Sequence, residues 1–575
     1  MTTFRVWAPA AGRVEVEVGG HRHAMAPDGD RAWYRVVVDG AAPGDDYRFV
    51  ADGDPRPDPR SPWQPEGVDG PSRLIDHTAF DWTDGGWRGV HLPSAVVYEL
   101  HVGTFTPEGT FDGVIGRLDH LVELGVDIVE LMPVNEFPGR RGWGYDGVNL
   151  FAPHHAYGGP DGLKRLVDAC HTRGLAVALD VVYNHLGPAG NHLARFGPYF
   201  TDRYRTPWGR AVNLDGPGSD EVRAFVVDNA VMWLRDYHVD GLRLDAVHGL
   251  VDTSATHLLE ELAAAVADLG AALGRPLFLV AESDLNDPRV VRRPEVGGYG
   301  IDAQWSDDFH HALHAVLTGE RTGYYADFGT VEDVATALRQ GFVYAGRHSA
   351  YRGRRHGRLD PALCGSRYLG YLQTHDQVGN RAQGDRIGAL VSVGRLKVGA
   401  ALVLTAPFVP MLFAGEEWGA SSPFPYFTDH DDPALADAVR AGRRSEFAAF
   451  GWGPGDVPDP QAPETFASAR LDWGELDGEQ HAELLDWYRS LIALRRATPA
   501  LRDGRLDLVV TSSEGHAPVL VLQRGPVSVA VNLGRSPARP SVPGGTLVLA
   551  SDPAVRCEDG VTVTLPPDSV AVLHR

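Results

Sequence analysis

Cysteine is scarce in this sequence of 575 residues. Only Cys170, Cys364 and Cys557 are present, and they lie far apart along the chain. An odd number of cysteines without metal-ligand spacing predicts neither a disulfide framework nor a zinc site. We therefore expect a protein of a reducing compartment, and the predicted location is the cytoplasm.

Basic residues are too few for two classes of partner. The chain has 53 lysine and arginine residues against 76 aspartate and glutamate residues, which gives a net charge of −23. Nucleic acids and anionic membranes bind basic surfaces. We therefore predict no nucleic-acid partner and no membrane partner, and we attribute the negative charge to an ordinary soluble surface.

Long apolar runs are also missing. Residues 1–9 show neither the basic start nor the apolar stretch of a signal peptide, so export by a standard route is not expected. One uncharged run, from Val398 to Gly415, is interrupted by Pro407 and Pro410. A spanning helix needs about 20 apolar residues. This run predicts a buried helix followed by a buried strand.

Alternation of apolar and polar residues with a period of two marks both ends of the chain. It occurs in 4–8, 14–18 and 33–38 near the start and in 506–510, 519–522, 527–531 and 546–549 near the end. This period is typical of half-buried strands. We predict an N-terminal β-sandwich that resembles carbohydrate-binding domains over residues 1–90, and a C-terminal antiparallel β domain over residues 499–575.

Residues 91–498 have a different pattern, in which short apolar runs alternate with amphipathic stretches of helical period such as 161–173 and 220–237. The strand candidates are 96–100, 127–132, 176–182, 241–245, 277–282, 303–305, 368–372 and 410–413. Eight strands that alternate with helices predict an α/β fold with a parallel sheet, and the (β/α)8 TIM barrel is the version that closes. Long intervals after the second and third strands predict excursions there.

Polar residues follow several of these strands, where the active site of such a barrel lies. They are Asp180, Asn184, His185, Arg243, Asp245, His248, Glu282, Asp284, His375 and Asp376. Carboxylates that converge from separate strands repel one another and raise at least one pKa. Paired carboxyl groups at a concave site are the groups that glycoside hydrolysis uses.

Asp245 and Glu282 are the candidates for the two chemical roles. On a strand Arg243 and Asp245 point to the same face, and the guanidinium keeps the carboxylate ionised, as a nucleophile requires. The alternative for this segment is a structural salt bridge. Glu282 follows an apolar strand that disfavours its charged form, so it is the candidate proton donor.

Aromatic residues accompany the acidic ones, and the histidines raise the alternative of a metal site. Flat rings suit the apolar faces of sugars, although each ring taken singly is more often part of a core; they are Trp143, Tyr145, Tyr157, Trp305, Phe309, Tyr324 and Tyr325. His185, His248 and His375 are potential metal ligands in a barrel hydrolase. No His-x-His pair ends a strand, and Arg243 would direct its charge at the ion, so we predict no metal and no cofactor.

Four segments in order along the chain resemble the α-amylase superfamily of retaining glycoside hydrolases: Asp180–His185, Gly241–His248, Ala281–Asp284 and Thr374–Gln377. The resemblance implies that Asp245 is the nucleophile, Glu282 the acid/base and Asp376 a third carboxylate that holds sugar hydroxyls. A retaining enzyme places the first two carboxyl groups roughly 5 Å apart. Asn184 matches a position that helps to hold calcium in many amylases, but companion ligands are missing.

Within the superfamily, three further stretches are similar to the trehalohydrolases that act on maltooligosyltrehalose: 281–289, 304–314 together with 322–325, and 375–381. Val97–Phe105 and the leading β-sandwich resemble the wider subgroup, which also contains branching and debranching enzymes. One position departs from the pattern, because Thr374 stands where these trehalohydrolases tend to have Asn.

This resemblance implies hydrolysis, with retention, of the α-1,4 bond next to the terminal trehalose of maltooligosyltrehalose, downstream of a maltooligosyltrehalose-forming enzyme and in trehalose biosynthesis. The implied substrate-binding residues are Trp143, Tyr145, His185, Arg243, His248, Trp305, Asp307, Asp308, Phe309, His310, His311, Tyr325, His375, Gln377 and Asn380. We assign 305–311 and the residues after Asp376 to the trehalose end, which shape and hydroxyl contacts must distinguish from maltose. A glycogen-branching enzyme and a catalytically silent glucan-binding protein are the alternatives.

Overall fold

Eight parallel strands form a closed barrel in the computed structural model, which describes residues 1–448, 457–513 and 518–575. The strands are β1 (Val97–Leu100), β2 (Ile128–Leu131), β3 (Ala176–Val181), β4 (Gly241–Leu244), β5 (Phe278–Ala281), β6 (Ala303–Trp305), β7 (Tyr368–Tyr371) and β8 (Val409–Phe413). They follow one another around the barrel in chain order, and β8 pairs with β1 through Leu412 and Tyr98. The predicted (β/α)8 barrel is confirmed.

Helices lie between the strands and cover the barrel. The longer ones are Leu118–Leu124, Gly159–Thr172, Ser219–Asp236, Leu258–Leu273, Asp307–Thr318, Val331–Gln340, Val393–Thr405, Pro433–Ala448 and Glu479–Ala497. The shorter ones are Val102–Phe105, Phe111–Ile115, Leu193–Phe196, His375–Gly379, Pro463–Ser468 and Pro499–Arg502. The uncharged run forms a buried helix and the buried strand β8, as predicted.

The helix Ser219–Asp236 illustrates how the sequence determines these elements. Val222, Phe225 and Trp233 recur at helical spacing and are all buried. Asp220 and Glu221 lie in the first turn, where negative charge favours the helix dipole. The buried stripe packs against the barrel, so the side of the helix that the sequence pattern predicts is the side that is covered.

Short antiparallel pairs occupy the long loops after β2, β3 and β6. They are Asn135–Glu136 with Asn149–Pro153, Phe200–Thr206 with Gly209–Val212, and His348–Ser349 with Arg354–Arg355. The first two are the excursions that the interval lengths predict. The loop after β2 carries Trp143 and Tyr145 to the mouth of the barrel.

Antiparallel sheets flank the barrel at both ends of the chain. The N-terminal strands are Thr2–Trp7, Ala26–Pro27 and Trp33–Val38 in one sheet, and Val14–Val18, His21–Ala24, Asp46–Ala51, Asp54–Arg56 and Ser72–Arg73 in the other. The C-terminal sheet contains Val509–Ser513, Val519–Arg524, Val527–Asn532, Thr546–Ala550 and Ser569–His574, beside the pair Arg556–Cys557 and Val563–Thr564. Both ends therefore have the strand content that the period of two predicts.

The segment that leaves the N-terminal sheets is fixed beneath the barrel by Asp84. Its Oδ2 atom lies 2.8 Å from Nδ1 of both His171 and His238. His171 also contacts Asp240 through Nε2 at 2.9 Å. Burial by itself raises the pKa of Asp84, but the two histidine contacts outweigh it and lower this pKa to about 2. The linker is therefore held by charge-assisted hydrogen bonds.

Lysine is nearly absent from the chain, and the two that occur are buried. Only Lys164 and Lys397 contribute to the 53 basic residues, with 1% and 6% of their surface exposed. The Nζ atom of Lys164 donates to the carbonyl of His77 at 3.0 Å, and that of Lys397 pairs with Glu483 at 2.6 Å.

Within the described residues, no helix combines the length and apolar character that crossing a membrane requires.

Candidate active site

The guanidinium of Arg243 collects carboxylates from three neighbouring strands. It is 1% exposed, and its Nη1 atom donates to Asp180 at 2.9 Å and to Asp245 at 2.8 Å. Its Nη2 atom lies 3.5 Å from Glu282. The ring of Trp305 covers the guanidinium of Arg243, and the guanidinium carbon lies 4.3 Å from the ring centre. One buried cation thus balances part of the negative charge of three carboxyl groups.

Asp245 is fixed at both carboxylate oxygens. Oδ1 accepts from Arg243, and Oδ2 accepts from the Asn184 side chain at 2.7 Å. The Asn184 amide also donates to the Asp245 carbonyl at 2.8 Å. Asn184 therefore orients the Asp245 carboxylate through hydrogen bonds. This is the residue that matches a calcium-binding position of many amylases.

Glu282 lies beside Asp245 in a setting that favours its protonated form. Burial raises its pKa well above the ordinary value, Arg243 opposes this, and the charges of Asp245, Asp376 and Asp307 raise it further. Its Oε2 atom accepts from the backbone N–H of Ala246 at 2.5 Å. Ala246 has a φ of 37°, a left-handed conformation that is costly for a residue with a Cβ. That turn aims the N–H at Glu282.

Tyr145 and His375 form a chain of hydrogen bonds next to the carboxylates. The Tyr145 hydroxyl donates to Asp180 at 2.5 Å and lies 2.8 Å from Nε2 of His375. Because a hydroxyl has one hydrogen, Nε2 must donate to the Tyr145 oxygen. Nδ1 of His375 contacts Glu99 at 2.5 Å, and although burial lowers the pKa of His375, Glu99 raises it more. Both ring nitrogens are therefore donors, as in a protonated histidine.

These groups line a cleft of about 840 Å³ at the carboxyl ends of the strands. Its wall contains ten of the residues that the sequence predicted for the site: Trp143, Tyr145, His185, Asp245, His248, Glu282, Asp284, His375, Asp376 and Asn380. Asp376 has 37% of its side chain exposed to the cleft. The cleft combines three acidic groups with aromatic faces, a combination that suits a sugar chain.

Comparison with known proteins identifies the family. A model of the α-amylase catalytic domain matches residues 71–199. A malto-oligosyltrehalose trehalohydrolase from Rhizobium sp. (strain M-11) is 51% identical over 585 residues, which cover 99% of this chain and 97% of that protein. A protein of the same name from Mycobacterium tuberculosis (strain ATCC 25618 / H37Rv) is 52% identical over 96% of this chain and 95% of its own. This chain belongs to the malto-oligosyltrehalose trehalohydrolase family.

A solved structure agrees with this trehalohydrolase assignment in fold. A protein from Salmonella typhimurium, described as a candidate α-amylase, superposes with a TM-score of 0.92 at 39% identity, covering 100% of this chain and 97% of its own. The likeness therefore extends through both flanking β regions as well as the barrel. The resemblance that the four segments and the three further stretches indicated is confirmed.

Several residues that the trehalohydrolase resemblance implied for substrate contact have side chains that are buried behind the cleft wall. Asp308 accepts from the backbone N–H groups of Val343 and Tyr344 at 2.7 and 2.6 Å. Phe309 is 0% exposed. His310 is also 0% exposed and contacts the Leu372 carbonyl at 2.8 Å. Their side chains support the wall because the helix Asp307–Thr318 turns them towards the protein.

Five further residues that the resemblance implied do not line the cleft: Trp305, Asp307, His311, Tyr325 and Gln377. The Asp307 carboxylate accepts from the Tyr371 hydroxyl, and burial raises its pKa to about 7. Gln377 accepts from the Thr374 backbone N–H at 3.0 Å and caps the helix His375–Gly379. Trp305 packs beneath Arg243, Tyr325 against His310 and His314, and His311 against Tyr324. Tyr157, which was a candidate only as one of the aromatic residues, is buried and contacts His101.

Sequence reasoning missed part of the cleft. Trp208 lies at the turn of the hairpin after β3, and its ring stacks on His185 with centres 5.1 Å apart. Tyr426, His430 and Arg443, from the region after β8, also line the cleft. Asp284, a predicted residue that lines the cleft, pairs with Arg352 at 2.9 Å. The Thr-Pro-Trp-Gly turn at 206–209 was an available signal, since it places an aromatic residue in an exposed turn.

Proposed function

We propose that this chain hydrolyses the α-1,4-glucosidic bond next to the terminal trehalose of maltooligosyltrehalose and releases trehalose and a maltooligosaccharide. The observation that carries the proposal is the joint presence of Asp245, Glu282 and Asp376 on one cleft, in a chain that covers 97% of a malto-oligosyltrehalose trehalohydrolase. Paired carboxyl groups on a cleft are the apparatus of glycoside hydrolysis.

Asp245 is the proposed nucleophile. Hydrogen bonds from Arg243 and Asn184 hold its two oxygens at 2.8 and 2.7 Å, so the carboxylate is oriented before substrate arrives. It attacks the anomeric carbon and forms a covalent glycosyl-enzyme bond as the trehalose oxygen departs. The approach of Asp245 and Glu282 to one guanidinium, at 2.8 and 3.5 Å, supports the short carboxyl separation that retention requires.

Glu282 is the proposed acid and then base. Its raised pKa keeps a proton available, and it delivers this proton to the departing glycosidic oxygen. Trehalose leaves first. Glu282, now ionised, takes a proton from the water that attacks the same carbon, the Asp245–carbon bond breaks, and the maltooligosaccharide leaves with its configuration retained.

The surrounding groups bind the sugar on the glycone side of the bond. Asp376 is the proposed acceptor for hydroxyls of the distorted ring, and Tyr145 is the proposed platform beneath it. The rings of Tyr145 and His375 are stacked with centres 5.1 Å apart, so the platform is rigid. His375, a donor through both nitrogens, adds a positive charge beside sugar hydroxyls.

The proposed substrate must itself be formed by an earlier reaction. A 1,1-linked terminal disaccharide on a malto-chain requires an enzyme that first isomerises the reducing end, and we propose that this chain acts downstream of it. A cytoplasmic location is part of the proposal, and the free thiols of Cys170, Cys364 and Cys557 support it.

One incubation series tests the proposal. Maltooligosyltrehalose, plain maltooligosaccharide and amylose are each supplied to the purified chain, and the products are separated over time. We expect trehalose from the first and much slower cleavage of the second. New α-1,6 branches in amylose without trehalose release would instead assign a branching enzyme, and binding without product would assign a silent glucan-binding protein.

A further inference from the structure

Three potential metal ligands meet in the loop after β2, outside the cleft lining. Glu136 belongs to the antiparallel pair Asn135–Glu136 and Asn149–Pro153, and His154 and His155 follow the second of these strands. Glu136 and His154 are buried, whereas His155 keeps 18% of its side chain exposed. One ligand atom from each residue lies within 4.8 Å of the other two.

The distances in this cluster fit a small tetrahedral ion. The Oε1 atom of Glu136 lies 2.7 Å from Nδ1 of His155 and 3.1 Å from Nδ1 of His154. Zinc bonds to nitrogen and oxygen are about 2.1 Å long, so neighbouring ligands of a tetrahedral ion lie about 3.4 Å apart. The two separations are about 0.7 and 0.3 Å shorter than this spacing, so outward movements of less than about 1 Å would make room for zinc between Glu136 and the two histidines.

His154 supplies an independent observation. It is 0% exposed, and neither of its ring nitrogens has a hydrogen-bond partner among the described residues. Its Nδ1 atom is near Glu136 but is not aligned for a hydrogen bond with it, while Phe137 covers the ring at a centroid distance of 3.8 Å. A fully buried imidazole without a partner requires an explanation, and a bound ion provides one.

We propose that Glu136, His154 and His155 bind one Zn²⁺ ion, with a water molecule at the fourth position on the exposed side of His155. Two imidazole nitrogens, one carboxylate oxygen and water form a donor set that zinc adopts in proteins. The ion is structural. It ties the strand Asn135–Glu136 to the start of the helix Gly159–Thr172, and so fixes both ends of the loop that carries Tyr145.

A metal-free explanation accounts for only part of the geometry. Glu136 accepts hydrogen bonds from the backbone N–H and Nδ1 of His155, at 2.8 and 2.7 Å, as an ordinary carboxylate–histidine pair does. That explanation leaves His154 buried with two unsatisfied nitrogens. The Asn135 and Asn149 side chains, on the same two strands, also contain buried polar atoms without partners among the described residues.

Zinc titration of the full chain tests the proposal. The purified protein is stripped with a chelator, and Zn²⁺ alone is added while binding is followed by calorimetry and unfolding by temperature. We expect one ion per chain and a rise in the midpoint of thermal unfolding. The variant His154→Phe keeps a ring against Phe137 but has no donor, so it should bind no zinc at this site and show no rise.

Two comparisons complete the experiment. Metal-free His154→Phe should unfold at the same temperature as the stripped parent or higher, because it buries no unsatisfied nitrogen; this shows that loss of zinc is not loss of folding. His21→Asn removes an exposed histidine of the strand His21–Ala24 and should leave zinc stoichiometry unchanged. Substoichiometric binding by the parent, or equal binding by His154→Phe, would overturn the proposal.

Discussion

Glu99 of β1 holds His375, which follows β7, by two hydrogen bonds to one carboxylate. The backbone N–H of His375 donates at 3.0 Å and the ring Nδ1 at 2.5 Å, across 276 residues of sequence. Both the position and the protonation of the imidazole therefore depend on a residue inside the barrel. His375 in turn donates to Tyr145, so Glu99 acts on the proposed sugar platform without touching it.

Replacing Glu99 with Gln should lower kcat/KM by about 30-fold, the effect of about 2 kcal/mol from a lost charge-assisted hydrogen bond. The pKa of His375 should fall, because Glu99 raises it more than any other group does. Activity should therefore decline at a lower pH than in the parent as His375 loses its proton. Steady-state kinetics across pH measures both effects.

Glu130 provides the matched control for that change. It pairs with Glu99 in the barrel register and is buried, and burial followed by the Glu99 charge raises its pKa well above the ordinary value. Because burial and the Glu99 charge disfavour the ionised form of Glu130, Glu130→Gln should leave the pH profile unchanged. Equal losses in the two variants would contradict a specific role for Glu99.

Glu282→Gln should separate the two steps of the proposed mechanism. Loss of general acid catalysis should reduce hydrolysis of maltooligosyltrehalose by about 10³-fold. A maltosyl substrate with a good leaving group needs no proton, so its first step should persist and its glycosyl-enzyme should accumulate, detectable by mass spectrometry. Asp245→Asn should give a folded protein that forms no such adduct; an adduct in that variant would reject the nucleophile assignment.

Asp307 should extend activity towards alkaline pH although it does not line the cleft. Burial is the main reason that the pKa of Glu282 is high, and the Asp307 charge contributes. Asp307→Asn removes that charge and lowers the pKa of Glu282. Activity requires protonated Glu282, so the fall in kcat/KM at high pH should begin at a lower pH. The opposite shift would contradict the assigned proton donor.

Asp84 should stabilise the fold above about pH 4. Its folded pKa of about 2 is lower than its ordinary value of 3.8, so its contribution is complete above 3.8 and is lost as the pH falls towards 2. Asp84→Asn should reduce stability at pH 7 by about 2 kcal/mol, since it removes charge-assisted hydrogen bonds to His171 and His238. Chemical unfolding at several pH values should show the difference between variant and parent shrinking below pH 4.

The barrel could be predicted from the sequence because each strand is a short apolar run bounded by turn residues and helices. The carboxylates could be predicted because Asp245, Glu282 and Asp376 each follow such a strand. The assignment of Phe309 and His310 to substrate contact came from the resemblance, whereas the apolar spacing of Phe309, Ala312 and Leu313 in the helix Asp307–Thr318 agrees with the burial that the structure shows. Trp208 was missed because it reaches the cleft only when its hairpin folds over His185.

The contact between Glu99 and His375 also could not be predicted from the sequence. Its segment was recognised as a strand, but the partner of its carboxylate is His375, on the far side of the chain in sequence. Only the closure of β8 onto β1 brings the neighbouring strand β7 within reach. A contact that barrel closure creates has no local signal.

The burial of Lys164 and Lys397 has a chemical consequence for a protein that works among reducing sugars. Open-chain aldehydes condense with unprotonated amines and, over long exposure, glycate proteins at lysine. Here arginine supplies all other basic side chains, and the two ammonium groups are withdrawn from solvent at 1% and 6% exposure. Almost no side-chain amine of this enzyme is therefore exposed to attack by such an aldehyde.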